Sequence, residues 1–108
     1  MKKLLTLFAA GALLLGLASC GKSEAKKLRV GVSIPAADHG WTGGIVWSAE
    51  DAKKRLEAAN PDLEIVISTA RDAAEQVSRI ENLMVRNVNA LVVLPQEPGP
   101  LTNVCEAA

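Results

Sequence analysis

The stretch from Leu28 to Gly44, LRVGVSIPAADHGWTGG, restricts the fold of this chain more than any other part of it. Its first half places apolar residues two apart, which is typical of a β-strand. Pro35 is predicted to end the strand because proline has no amide hydrogen to donate. A polar loop with three glycines (36–44) follows, and a helical pattern begins at Ile45. A strand, a loop and a helix in this order form the first half of a βαβ unit.

The helical pattern from Ile45 to Ala59 predicts one buried helix face, because its apolar residues are spaced four, three, four and three apart. The residues of that face are Ile45, Ala49, Ala52, Leu56 and Ala59. Lys53 and Glu57 are expected to lie away from this face, and Trp47 lies on the opposite side. The helix is predicted to end before Pro61, since proline moves the preceding residue out of the α region.

The second strand and helix follow directly. Leu63–Ala70 (LEIVISTA) is almost continuously apolar, as expected of a parallel strand that is covered on both faces. Asp72 and Glu75 have the spacing of a capping box at a helix start, and Asn87 is suited to the left-handed conformation at the helix end. The predicted buried face of this helix consists of Ala73, Val77, Ile80, Leu83 and Met84.

The third strand is predicted at Ala90–Leu94, and Gly99-Pro100 opens a third helix. Its predicted buried residues are Leu101, Val104, Cys105 and Ala108. The resulting β-α-β-α-β-α order predicts an α/β fold, a Rossmann-like lobe of three α/β/α layers with a parallel sheet and right-handed crossovers. The loops after the three strands (36–44, 68–72 and 95–99) then share one edge of the sheet, where ligands of such folds bind.

The first 19 residues are predicted to be a signal peptide and not part of the fold. Lys2 and Lys3 precede an apolar run, Leu4–Leu17, that is shorter than the roughly 20 residues a spanning helix needs. Residues 17–20, Leu-Ala-Ser-Cys, resemble the bacterial lipoprotein signal, which implies cleavage before Cys20 and acylation of that residue. Residues 20–27 are then a lipidated polar tether. The resemblance implies an exported protein anchored to a membrane of the cell envelope, in the periplasm or on the outer face of the cytoplasmic membrane.

Charge and cysteine content narrow the function further. Cleavage would remove Lys2 and Lys3 and leave ten of the 12 basic residues against 12 acidic ones, a balance that does not favour nucleic acid. Because Cys20 would carry the lipid, Cys105 has no partner for a disulfide, and packing must stabilise the domain. The 89 residues from Cys20 onward are few for a domain, which typically has about 100–150.

The second helix and third strand match a pattern known from one family. The helix fits Q-x-x-x-I-E-x-L-(I/M) with Gln76, Ile80, Glu81, Leu83 and Met84. With the strand ending GVSIP, the loop aromatic and the strand after the helix, residues 28–108 resemble the amino-terminal lobe of periplasmic binding proteins of the ribose-binding type. That resemblance implies a type I periplasmic binding protein whose two lobes close over a ligand. The chain departs from it by stopping before the first lobe is complete, and is therefore expected to be an incomplete, amino-terminal part of lobe I.

The resemblance implies a function without catalysis or cofactor: a lipoprotein that captures a sugar or related polar ligand for an ABC permease and is monomeric when complete. Trp41 stands where the family offers an aromatic ring to the sugar, although a loop tryptophan packed on the core is the alternative. Asp38 would accept hydrogen bonds from hydroxyls, or would simply form a turn. His39, Thr42 and Gln96 complete the predicted ligand contacts. No second ligand at metal spacing accompanies His39, so no metal site is predicted.

Three other functions are alternatives to a transport lipoprotein. Sugar-responsive repressors share the lobe but carry a DNA-binding segment where this chain has a signal peptide. A receptor that reports a sugar to a membrane kinase would have the same lobe and anchor, and neighbouring genes would separate it from a transport protein. An exported α/β enzyme would use Asp38 and His39 as an acid/base pair, but it needs a nucleophile or metal that the sequence does not indicate.

Overall fold

The computed structural model describes residues 26–108, so the predicted signal peptide, Cys20 and most of the tether lie outside the described residues. Strands and helices alternate along this part of the chain. They are β1 (Leu28–Pro35), α1 (Gly40–Ala59), β2 (Leu63–Ala70), α2 (Ala73–Val85), β3 (Ala90–Val93) and α3 (Pro98–Ala107). The predicted order of elements is confirmed.

The three strands form one parallel sheet in the order β2-β1-β3. The central strand β1 pairs with β2 along its whole length, from Leu28 opposite Leu63 to Pro35 opposite Ala70. It pairs with the shorter β3 only over residues 30–33. Both β2 and β3 are edge strands of the described sheet, and the carboxyl ends of all three strands meet at one side.

The helices cover the two faces of the sheet. Gly31 and Ser33 of β1 face α2: a Cβ added at Gly31 would lie 3.1 Å from a methyl group of Leu83, and Ser33 accepts a hydrogen bond from Gln76. Within the described residues α1 contacts β1 and β2 but neither of the other helices, whereas α2 packs on α3. The arrangement is an α/β domain with α1 on one face of a parallel sheet and α2 and α3 on the other.

The main core lies between α2, α3 and the sheet. Ile80, Leu101 and Val104 are buried there, and they are surrounded by half-buried apolar residues: Ala73, Val77, Met84, Leu91 and Val93. The predicted apolar face of α2 is thus confirmed. On α3 the prediction is wrong for Cys105 and Ala108, which are exposed. Among the described elements α3 packs only on α2, and Leu101 and Val104 are its buried residues.

The largest correction concerns the start of α1, which begins at Gly40 and not at Ile45. Glycine has a low helix propensity, so a loop was the reasonable prediction. The first turn is instead stabilised by Thr42, whose hydroxyl oxygen accepts a hydrogen bond from the amide of His39, while the amide of Gly43 donates to the carbonyl of His39. The consequence is that Trp41 and Thr42 lie on a helix and not in a loop.

The far end of α1 also differs from the prediction. Leu56 and Ala59 are exposed, whereas Lys53 and Glu57 are half-buried. The reason is polar: Lys53 donates to the carbonyl of Ile65 on β2, and the amide of Ile65 donates to Glu57 at 2.6 Å. Elsewhere the boundaries are close to those predicted: α3 begins at Pro98, β3 ends at Val93, and Asn87 has the expected left-handed backbone with φ of 55°.

Candidate functional site

The carboxyl ends of the three strands are joined through one backbone carbonyl. The oxygen of Ala70, the last residue of β2, accepts a hydrogen bond from the amide of Ala36, which follows β1, at 2.7 Å. It also accepts from the side-chain Nε2 of Gln96, which follows β3, at 2.9 Å. The segments after β1 and β3 therefore lie side by side at this edge, as the βαβ order predicted.

The segment between β1 and α1 is held by Thr42. Its Oγ1 donates to Oδ1 of Asp38 at 2.8 Å and accepts from the amides of Asp38 and His39, both at 3.2 Å. Thr42 is only 5% exposed. The buried hydroxyl of Thr42 thus holds the Asp38 carboxylate in place. A direct contact between Thr42 and a ligand stays a prediction.

Asp38 presents a charged acceptor to solvent. The hydrogen bond from Thr42 is the largest of the effects that lower the pKa of Asp38, and the nearby imidazole of His39 lowers it as well. Nε2 of His39 lies 3.4 Å from the same carboxylate oxygen, and both side chains are more than half exposed. The arrangement keeps Asp38 ionised and leaves its second oxygen available to accept hydrogen bonds from a ligand.

Trp41 lies in the first turn of α1 and is 67% exposed, so it is not packed on the core. The surrounding backbone is open: a Cβ added at Gly40, Gly43 or Gly44 would meet no atom within 4 Å. Trp47 is exposed to a similar extent further along the helix, on the side that the sequence predicted. An accessible indole and an ionised carboxylate three residues apart at one helix start offer both an apolar surface and a hydrogen-bond acceptor, which suits a molecule that has an apolar face and hydroxyl groups.

Gln96 has a structural role at the edge of the sheet. Its side chain donates to Ala70, and its backbone amide donates to Oε1 of Gln76 at 2.8 Å. These bonds bring Gln96 to the same edge as Asp38 and use one of the two donor hydrogens on its side-chain nitrogen. A contact between Gln96 and a ligand stays a prediction.

Gln76 is the residue that sequence reasoning missed as a part of this edge. It has no solvent exposure, and its Nε2 donates to the carbonyl of Leu94 at 2.9 Å and to Oγ of Ser33 at 3.2 Å. The sequence contained a usable signal, because Gln76 is four residues before Ile80 and seven before Leu83 on the buried face of α2. A polar residue on an apolar stripe indicates a buried hydrogen-bond network.

The amino end of α2 adds charge to the neighbouring surface. The amide of Glu75 donates to Asp72 at 2.8 Å, which confirms Asp72 as the helix cap. Glu75 in turn accepts from the backbone amide of Arg71, and this bond, aided by the side chain of Arg79, lowers the pKa of Glu75 to about 2. The remaining guanidinium surface of Arg71 is largely exposed near the edge of the sheet.

Residues 26–108 have few features of other kinds of site. This part of the chain contains no group of three or more histidine, cysteine or acidic residues placed to hold a metal ion. None of its helices has the length and apolar character required to cross a bilayer. No protein-family model matches the chain, and no curated protein matches its sequence. The function must therefore be inferred from the residues themselves.

Proposed function

We propose that this chain belongs to a solute-binding lipoprotein of an ABC-type importer, which captures a sugar or a related small polar ligand in the cell envelope and performs no catalysis. The observation that carries the proposal is that an exposed Trp41 and an ionised Asp38, three residues apart, both lie in the segment that follows the carboxyl end of β1. A pyranose has a face of C–H bonds that an indole covers, and its rim of hydroxyls donates to a carboxylate. The lipoprotein-like signal and the resemblance to ribose-binding-type proteins support the same function.

Trp41 and Asp38 are expected to make separate contributions to sugar binding. Trp41→Ala should weaken sugar binding by about 2–3 kcal/mol, part of the contribution of a buried aromatic surface. Asp38→Ala should cost about 1.5–3 kcal/mol, because a sugar hydroxyl then has no charged acceptor. Trp47→Ala is the matched control, since this residue is equally exposed on the same helix but lies almost two turns away.

The measurement is titration calorimetry of the full-length protein, with both lobes present, against a panel of free pentoses and hexoses. Because residues 1–108 have two tryptophans, a fluorescence change that persists in Trp47→Phe and is lost in Trp41→Ala reports stacking independently of heat. If both site variants bind the sugar within about twofold of the parent, a difference in binding free energy of under about 0.5 kcal/mol, the ligand contacts lie elsewhere. If no sugar in the panel binds, the sugar proposal fails.

A further inference from the structure

The outer edge of β2 carries a groove that the proposed sugar site does not use. Its volume is about 290 Å³, which suits a few residues of extended chain and not a folded domain. One wall consists of four consecutive residues of β2, 66–69. The other wall consists of Arg79, Asn82 and Leu83 on one face of α2, together with Arg86, the C-cap residue of that helix.

The groove exposes backbone groups that have no partner in the sheet. The amide of Leu63 donates to the carbonyl of Asn60, and the amide and carbonyl of Ile65 bond to side chains of α1. The backbone amides and carbonyls of the odd-numbered residues of β2 therefore point away from β1. By the alternation of a strand, the amides and carbonyls of Ile67 and Thr69 point the same way. None of the described residues outside β1 forms a hydrogen bond with them. This half of the edge is open, and the half at Ile65 is closed.

The groove is also basic. Arg79 donates to Glu75 at 3.0 Å, and Glu75 is shared with Arg71. Within the described residues no carboxylate lies within ion-pair distance of the Arg86 side chain. Glu64 on the same strand is paired with Arg29 at 2.9 Å. The positive charge of these guanidinium groups thus exceeds the negative charge of their partners, which favours an acidic occupant.

We propose that this groove binds a short, extended, acidic peptide segment of a partner protein, added to the sheet beside β2. Backbone groups of the segment would pair with Ile67 and Thr69, and its carboxylates would pair with Arg79 and Arg86. Alternate side chains of an added strand face α2 and are about 7 Å apart, and the two arginines are about 10.5 Å apart along the helix axis. Arginine side chains are long enough to span the difference between these two spacings. Two carboxylates that are two to four residues apart in the segment can therefore pair with Arg79 and Arg86.

The pair formed by Lys53 and Glu57 sets the length of the segment. These side chains occupy the outward backbone groups of Ile65, so an added strand cannot extend past that residue. The occupied edge is limited to residues 66–69, which distinguishes this groove from an open edge that would recruit strands without limit. Because it lies along β2 and α2, it does not depend on Trp41 or on the sugar hypothesis.

The experiment measures fluorescence anisotropy of a labelled Glu-Val-Glu-Val-Glu peptide titrated with the full chain. We expect saturable binding that weakens about tenfold or more when Arg79→Gln and Arg86→Gln are combined, because two charge-assisted hydrogen bonds are lost. Thr69→Pro should weaken it as well, since proline removes one outward amide and is tolerated on a strand edge. Arg55→Gln is the matched control: this arginine is on α1 and pairs with Asp51 at 2.8 Å.

Two N-methylated peptides separate strand addition from simple charge attraction. Methylation of the valine amides blocks antiparallel pairing, and methylation of the glutamate amides blocks parallel pairing, so exactly one of the two should lose affinity. Equal binding of both, or displacement of the peptide by inorganic phosphate or succinate at matched concentration, would reduce the groove to a small-anion site and overturn the proposal. Absence of peptide binding, or an equal loss in Arg55→Gln, would overturn it too.

Discussion

Gln76 is a polar side chain without solvent exposure, and it joins β1 to the segment after β3 through three hydrogen bonds. Gln76→Met keeps the length of the side chain and removes all three bonds. The carbonyl of Leu94 and the amide of Gln96 then lose their partner, and each such group costs about 1–3 kcal/mol. We expect a loss of about 2–4 kcal/mol in the free energy of unfolding, measured by urea denaturation.

Ser78→Met is the control for this substitution, because Ser78 is exposed on the same helix. If Gln76→Met changes the free energy of unfolding by less than about 0.5 kcal/mol, the size expected of an exposed substitution, water replaces the lost hydrogen bonds. In that case the edge of the sheet would be less rigid than its contacts indicate.

Glu75 makes a second residue-level prediction, on the dependence of stability on pH. Its pKa is lowered from 4.5 to about 2, chiefly by the backbone amide of Arg71 and then by the side chain of Arg79. The unfolded chain binds this proton near pH 4.5 and the folded chain only near pH 2. The stabilisation is therefore complete above pH 4.5 and is lost as the pH falls to about 2.

Glu75→Gln should flatten this acid limb, since glutamine does not titrate. The measurement is the thermal unfolding midpoint of both proteins from about pH 6 to about pH 2. Glu81→Gln, an exposed change on the same helix without an ion pair among residues 26–108, should leave the slope of the parent unchanged. Identical slopes for Glu75→Gln and the parent would contradict the assignment.

At the scale of elements, α1 and β2 are held together by more than apolar contact. Lys53 and Glu57 of α1 bond the outward carbonyl and amide of Ile65, which closes the edge of β2 to another strand at that residue. Glu57→Met should speed hydrogen exchange of the Ile65 amide about fivefold, the effect of losing roughly 1 kcal/mol of local protection. Glu50→Met, an exposed change on the same helix, should leave that rate unchanged. Equal exchange in both variants would mean that the hydrogen bond to Glu57 does not protect the Ile65 amide.

At the scale of the whole molecule, the two edges of the described sheet differ. The edge at β2 is closed at one residue by charged side chains, whereas β3 is short and its Val92 is 55% exposed. The face of the sheet around Val92 is not covered by α1, which contacts only β1 and β2 among the described elements. An apolar residue in such a place is a candidate contact for further structure or for association.

The proposed anchor also belongs to this scale, because it determines where the molecule is. Cys20→Ser should leave export possible and abolish lipid attachment, since serine lacks the thiol to which the lipid is joined. The protein should then move from the membrane fraction to the soluble envelope fraction. The parent is expected to stay in the membrane fraction, because two or more acyl chains give stable anchoring. Labelled palmitate incorporated equally into the parent and into Cys20→Ser would contradict the lipoprotein hypothesis.

Local patterns in the chain were sufficient to predict the six elements, their order and the apolar face of α2, because hydrophobic periodicity and proline act over a few residues. They also indicated which residues would meet at the carboxyl edge, and Asp38 and Trp41 are both exposed there. A direct role of these residues in binding stays a prediction.

Specific hydrogen bonds decided the rest. Thr42 starts α1 five residues early through bonds to Asp38 and His39, only four and three residues away, and these bonds outweigh the low helix propensity of three glycines. Gln76 finds its partners 18 to 43 residues away, and Lys53 and Glu57 are half-buried only because β2 passes beside them. Hydrogen bonds across such separations depend on where the sheet brings the backbone. A local pattern shows that Gln76 is a polar residue on a buried face but not which groups it meets, so its partners and the basic groove became visible only in three dimensions.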